Sequence, residues 1–461
     1  MRRCILAVSF LLAAVPVLAA SAPPAPDLAA DVARITAAAQ ADDHAMARMI
    51  ELCDEIGPRL NGSPAMARAI DWAVAHLRAD GADDARREPV LVPHWVRGAE
   101  RARVLAPWSM PLPVIGLGGT VGTPPGGLEA DVLVVESFEE LEARRAEAAG
   151  RIVLFNMPWE GYGKTVQYRT KGADAAARHG AVGCLIRSVT QSWSSPPHTG
   201  IMRYAGGDTI PRIPAAAIPV RDAARMARQQ ARGLPVRVRL ELEAEMFPNI
   251  EQGNVVADLR GRELPEEIVL VSGHFDSWDA GCGIHDDGAA CVIAMEVLRQ
   301  LAVLDMRPRR TVRVVLWADE EMTQTGSKAY VEAHADELEK HVAAIESDSG
   351  CFAPAGWSVR GDSLTVAAVA ELAAHLEPLG ASAVSEGWAG VDVRALNELG
   401  VPGVGHRVHN DDYFLYHHSP DDTVDKIDPD HVKANVAALT AMVWMLAERE
   451  DPLPRPAVDR P

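Results

Sequence analysis

From Asn254 onward, short apolar runs alternate with amphipathic stretches, and most of the apolar runs end in a cluster of histidine and acidic residues. Strands are expected at 268–272, 312–317, 342–346 and 383–385. Helices are expected at 288–301, 328–338, 364–376, 391–399 and 429–447. Strands that alternate with helices build an α/β fold, a mostly parallel sheet flanked by helices. Such sheets carry their chemistry in the loops beyond the carboxyl ends of the strands. Here those loops read Gly273-His274-Phe275-Asp276-Ser277, His285-Asp286-Asp287-Gly288, Asp319-Glu320-Glu321 and Glu346-Ser347-Asp348-Ser349, with His417-His418-Ser419-Pro420-Asp421-Asp422-Thr423 near the C-terminus.

One acidic cluster after a strand is ordinarily a helix cap. Five clusters of this kind are not explained that way. Imidazole mixed with carboxylate suits zinc, whose catalytic sites take His and Asp or Glu and leave one position for water. The carboxylates outnumber what one zinc takes, whereas two metals about 3.5–4 Å apart, sharing one carboxylate, use them all. No Gly-x-Ser-x-Gly elbow competes with this reading.

The rest of the chain frames that region. Arg2 and Arg3, an apolar run at 5–18 and small residues at possible cleavage points after Ala19 or Ala22 make 1–22 a signal peptide. The product is then secreted or periplasmic. The run is shorter than the roughly 20 residues a membrane span needs, so no membrane association is expected after cleavage. Residues 31–77 read as helical, interrupted by a Gly-Pro-Asn loop at 57–63. Residues 116–245 contain short strands at 131–135 and 151–155 and a helix at 172–179, without clustered His and acidic residues, and read as an inserted accessory domain. The expected division is therefore 1–22 leader, 23–115 first part of the catalytic domain, 116–245 insert, 246–450 catalytic domain and 451–461 flexible tail. The formal net charge is −19, or −21 once Arg2 and Arg3 leave (−19 minus 2), which disfavours nucleic acid as a partner. Beyond Cys4 five cysteines remain, with no Cys-x-x-Cys pair. One disulfide is allowed, and buried single thiols are the expectation.

Residues 254–425 resemble the two-zinc exopeptidase family of bacterial leucyl aminopeptidases and glutamate carboxypeptidases, most closely its plasma glutamate carboxypeptidase branch. The matching strings are Gly273-His274-Phe275-Asp276-Ser277-Trp278-Asp279, Asp286-Asp287-Gly288, Leu316-Trp317-Ala318, Glu320-Glu321, Glu346-Ser347-Asp348-Ser349-Gly350 and His417-His418-Ser419. The resemblance implies the zinc exopeptidase fold with 116–245 as a β-rich protease-associated domain. It also implies two Zn2+ per chain, a short peptide or dipeptide substrate, and a homodimer. By position it implies His274, Asp286, Glu321, Asp348 and His418 as metal ligands, Asp286 bridging both. Glu320 becomes the general base for a water between the metals, and Asp276 orients His274. His418 is preferred to His417 because the family's ligand directly precedes Ser or Thr. Asp287 is expected as a structural neighbour or cap, His285 as a solvated loop residue, Asp392 as a loop or substrate-shell residue, and Tyr413 and Tyr416 as packing groups.

The chain departs from the family after the Glu pair, where Met322-Thr323-Gln324-Thr325 stands in place of glycines. Asp319 before the pair is also unusually acidic. Two other functions are compatible with the scaffold. A binding protein without catalysis, like the transferrin receptor, predicts missing ligands, yet all five and the base are present. A glutaminyl-cyclase-like acyltransferase predicts one zinc and no insert.

Overall fold

The computed structural model describes residues 27–193 and 196–456. The leader expected at 1–22 and the last residues of the 451–461 tail lie outside them.

Eight strands form the main sheet: β1 (Asp84–Val96), β2 (Glu245–Leu259), β3 (Leu264–His274), β4 (Arg310–Trp317), β5 (His341–Ser347), β6 (Pro354–Arg360), β7 (Val384–Glu386) and β8 (Gly403–Val408). Their order is β1-β2-β4-β3-β5-β8-β6-β7. The centre, β4-β3-β5-β8, is parallel. The β1-β2, β2-β4 and β8-β6 pairings are antiparallel. The expected parallel sheet is thus its centre, and the antiparallel flanks come from β1, β2 and β6, which periodicity does not single out.

Alternation along the strands sorts side chains onto two faces. Val269, Val271, Val312, Val314, Leu316 and Ile345 share one core with the helices Leu28–Gln40, Pro64–Ala79, Ala289–Val303 and Pro429–Glu448. Ile268, Leu270, Val315 and Trp317 face the other way, onto Tyr330 and Leu396. Each such side chain contributes about 1.5–3 kcal/mol by leaving water. The helix Pro429–Glu448 starts where Asp428 accepts a hydrogen bond from the Asp430 N–H, with proline at its first position.

The chain leaves this sheet and builds a second one of eight strands before returning. β1 and β2 pair up to Val96 opposite Glu245, and the ladder resumes where Glu100–Ala106 pairs with Arg237–Leu242. One antiparallel ribbon therefore runs from sheet to sheet. The second sheet takes in Glu100–Ala106, ahead of position 116. Its central strands Leu128–Val135, Ile152–Phe155, Gly183–Arg187 and Ala215–Ile218 are parallel. Leu133, Val153, Phe155 and Ile186 pack with Tyr168, Ala173 and Ala176 of the helix Tyr162–Ala177. Val132, Leu154 and Leu185 pack with Ala223 and Met226 of the helix Val220–Ala231.

Cys53 and Cys282 form a disulfide across a sequence separation of 229 residues. The expectation of single thiols holds only for Cys184, Cys291 and Cys351, all buried. Cys282 stands four residues before Asp286, so the bridge ties the loop that carries Asp286 to the end of the helix His44–Glu51. A bridge between such distant points mainly restricts the unfolded chain. A Cys53→Ser/Cys282→Ser variant is expected to lose about 2–4 kcal/mol of stability, read as a lower urea midpoint with a steeper slope, because the unlinked unfolded chain exposes more surface.

Candidate metal centre

Parallel strands β3, β4 and β5 end on one edge of the sheet, and their loops bring the sequence clusters together. His274 ends β3 with its ring 1% exposed. Its Nδ1 is 3.0 Å from the Asp276 carbonyl oxygen, which leaves Nε2 facing the cleft. Nε2 lies 3.2 Å from Asp286 Oδ1, 3.8 Å from Asp348 Oδ1 and 4.0 Å from Glu320 Oε2. On the other side, His418 Nε2 is 3.0 Å from both Asp286 Oδ2 and Glu321 Oε2. Asp286 therefore presents one oxygen to each imidazole.

The loop carrying Asp286 is held from two directions. Asp422 accepts the N–H groups of Ile284, His285 and Asp286. Arg59, fully buried, donates to the carbonyls of Phe275, Cys282 and Gly283. Asp276 accepts the N–H of Glu320 at 3.1 Å and of Glu321 at 3.3 Å, and takes a third bond from Asn61. It thus sets the Glu pair as well as lying behind His274. Asn61 belongs to the 57–63 segment, which sequence reading treated only as a loop.

The turn that replaces the family's glycines is built by Asp319. Its carboxylate takes bonds from Asn61, from the Thr323 hydroxyl and from the backbone and hydroxyl of Thr325. Gln324 adopts φ +58°, the left-handed backbone a glycine would otherwise supply. His418 adopts φ +62°, a region that costs a residue with a β-carbon about 1–2 kcal/mol.

Three further expectations meet the structure here. His285 is not solvated: it is buried and stacked between Phe352 and Tyr416 at 4.7 and 5.4 Å. Asp287 accepts the His274 N–H at 3.1 Å and also lies among oxygens and nitrogens close enough to share an ion with His274 and Asp348. His417 stacks on His418 with ring centres 3.5 Å apart, its Nε2 3.7 Å from Asp286 Oδ2.

The donor set fits metal ions. Asp286, His417 and His418 offer ligand atoms within 4.8 Å of one another, as do His274, Asp287 and Asp348. Glu321 Oε1 and Asp287 Oδ1 are buried with no hydrogen-bond partner, a situation expensive for a carboxylate unless a cation is close by. Without a cation, burial pushes Asp348 and Glu320 well above the usual carboxylate range despite the opposing charge of His274, with Asp286 the leading carboxylate acting on Asp348 and Asp348 the leading one acting on Glu320. Burial opposes a charge on His418, but Glu321 and Asp286 prevail and raise it to about 9. A metal must displace these protons. Affinity is therefore greatest at high pH, where the carboxylates and His418 have already lost them, and falls on acidification. Zinc affinity is expected to fall roughly tenfold per pH unit for each proton displaced, as competition titrations at pH 6, 7 and 8 would measure.

A profile of Peptidase family M28 matches residues 254–443. Mouse carboxypeptidase Q is 41% identical over 404 residues, covering 88% of this chain and 86% of the mouse protein. The chain belongs to peptidase family M28. A crystal structure of a peptidase M28 precursor from Shewanella amazonensis superposes with TM-score 0.90 at 37% identity, over 93% of this chain and 99% of that one. A zinc aminopeptidase from Bacillus subtilis shares the fold, with TM-score 0.66 at 19% identity over 87% and 94% of the two chains.

In this M28 chain the second sheet also reaches the cleft, which sequence reading missed. Tyr162, Arg169, Ile201 and Arg203 line a cavity of about 300 Å³ together with Asp286, Glu320, Glu321, Asp348 and His418. Trp278, inside the matched string at 273–279, donates from its indole to Glu321 Oε2 at 2.5 Å. No helix among the described residues is long and apolar enough to cross a membrane.

Proposed function

We propose that the protein is an exported two-zinc exopeptidase that hydrolyses the terminal bond of short peptides, with free dipeptides as its best substrates. The observation that carries this is the convergence of Asp286, Glu320, Glu321, Asp348 and His418 on one cavity of about 300 Å³. His274 and Asp348 would hold one ion and Glu321 and His418 the other, with Asp286 shared between them. When bound, the two zinc ions polarise the scissile carbonyl and acidify the attacking water. Glu320 takes the water proton and returns it to the leaving amine. Its position is set through its own N–H by Asp276.

Arg203 favours the dipeptide reading. It is exposed at the cavity and donates to the Met322 carbonyl at 3.2 Å, two residues beyond Glu320. A guanidinium there pairs with a free α-carboxylate. Arg203→Ala is expected to raise KM for a free dipeptide about tenfold, the equivalent of roughly 1.4 kcal/mol, and to leave Leu-p-nitroanilide unchanged. An equal effect on both substrates would remove Arg203 from carboxylate recognition.

The reaction itself is tested with purified protein and added zinc on Leu-p-nitroanilide, N-blocked dipeptides and free dipeptides, with and without chelator. Chelator-sensitive cleavage of free dipeptides supports the reading. No metal-dependent turnover of any of them would overturn it. We assign the second sheet, about 100–242, to a protease-associated insert. Export rests on 1–22 and on the Cys53–Cys282 bridge. A mature N-terminus at Ala20 or Pro23 checks it, and size-exclusion chromatography checks the homodimer.

A further inference from the structure

His418 sits in a left-handed backbone conformation, and the groups that hold it there come from the second sheet layer. The Thr199 N–H donates to the His418 carbonyl at 2.9 Å. Next to it, His198 Nδ1 lies 2.7 Å from the His417 carbonyl oxygen. The ring of His418 is fixed by the same segment, with Nδ1 3.4 Å from the Thr199 carbonyl oxygen. Arg169, 3% exposed, donates to that carbonyl from Nη1 at 3.2 Å, and the same Nη1 is 3.1 Å from His418 Nδ1. Its Nη2 donates to the Tyr162 hydroxyl at 2.9 Å.

Gly200 makes this approach possible. Its φ is +126°, and a β-carbon there would lie 2.3 Å from Arg169 Nη1 and 2.6 Å from His418 Nδ1. The Thr199 carbonyl and the Arg169 guanidinium both face Nδ1, so the ring is oriented with Nε2 toward Asp286 and Glu321, as metal binding requires.

We propose that the second layer presets the metal ligand His418: Arg169, Thr199 and Gly200 lock its ring and backbone, and so set how long the zinc on that histidine stays bound. This rests on the two-zinc reading above. Arg169 is a positioning residue here, acting through His418.

The test measures release of zinc from the full-length mature protein into a colorimetric chelator, beside the melting temperature of the zinc-free protein. Two variants remove the lock, Arg169→Met and Gly200→Ala, and Arg169→Lys restores the charge. One of the two zinc equivalents is expected to leave about 10–100-fold faster in Arg169→Met and Gly200→Ala. The other keeps the wild-type rate, Arg169→Lys lies between, and the zinc-free melting temperature of the Arg169 variants is unchanged, whereas Gly200→Ala lowers it through its strained backbone. Should Gly200→Ala not fold, the Arg169 pair carries the comparison alone. Wild-type release of both zincs from Arg169→Met overturns the proposal. So does equal acceleration of both with a lowered melting temperature, which marks general loosening. A wild-type protein that holds no zinc instead defeats the two-zinc reading itself.

Discussion

Glu320→Gln is expected to lower kcat by about 10²–10⁴-fold while leaving the zinc content and the folded structure intact. Glutamine keeps the shape and the backbone N–H that Asp276 holds at 3.1 Å, but it cannot accept a proton. Glu320 Oε2 stands 4.0 Å from His274 Nε2, beside the metal ligands and outside the closest contacts of Asp286. Its loss therefore removes the proton acceptor and little of the metal affinity. The measurement is single-turnover cleavage of a free dipeptide together with zinc analysis of the same sample. Full activity in this variant would remove Glu320 from the reaction. Lost activity accompanied by lost zinc would make it a ligand.

Asp286→Asn is expected to fail differently. Asp286 turns its two oxygens to different imidazoles, Oδ1 toward His274 at 3.2 Å and Oδ2 toward His418 at 3.0 Å. Asparagine retains one acceptor oxygen, loses the negative charge and offers an N–H₂ that no metal accepts. Zinc affinity is expected to fall by at least about 100-fold, with activity falling alongside it. Excess zinc should recover activity only in part, because the shared ligand is gone. Calorimetric titration of the zinc-free variant measures this directly. Two tight sites in Asp286→Asn would show that the aspartate does not bridge.

The readable part of the site was the part encoded locally. His274, Asp286, Glu320–Glu321 and Asp348 follow strands or open helices within a few residues, so period and residue type mark them. Arg169, Thr199 and Arg203 meet the cleft from a segment without clustered His and acidic residues, and no local pattern announces a contact with His418 more than 200 residues away. His285 reads as a polar loop residue until Phe352 and Tyr416 are known to enclose it. The Cys53–Cys282 pairing is likewise a property of the folded chain, since five cysteines permit many pairings. The turn at 319–325 shows the converse. The family's glycines are missing there, and Gln324 takes up the left-handed backbone while Asp319 staples the turn.

The ribbon linking the two sheets has a topological consequence. Val96 and Glu245 face each other in register, so the point where the chain departs and the point where it returns are neighbours. A short hairpin turn could close that gap and excise everything between, leaving every strand of the main sheet in place. The shortened chain would keep the scaffold and four of the five proposed ligand positions as they are. It would lose the roof over His418, a residue held in the left-handed backbone region. In this molecule the portion most easily cut from the architecture is the one on which the chemistry leans.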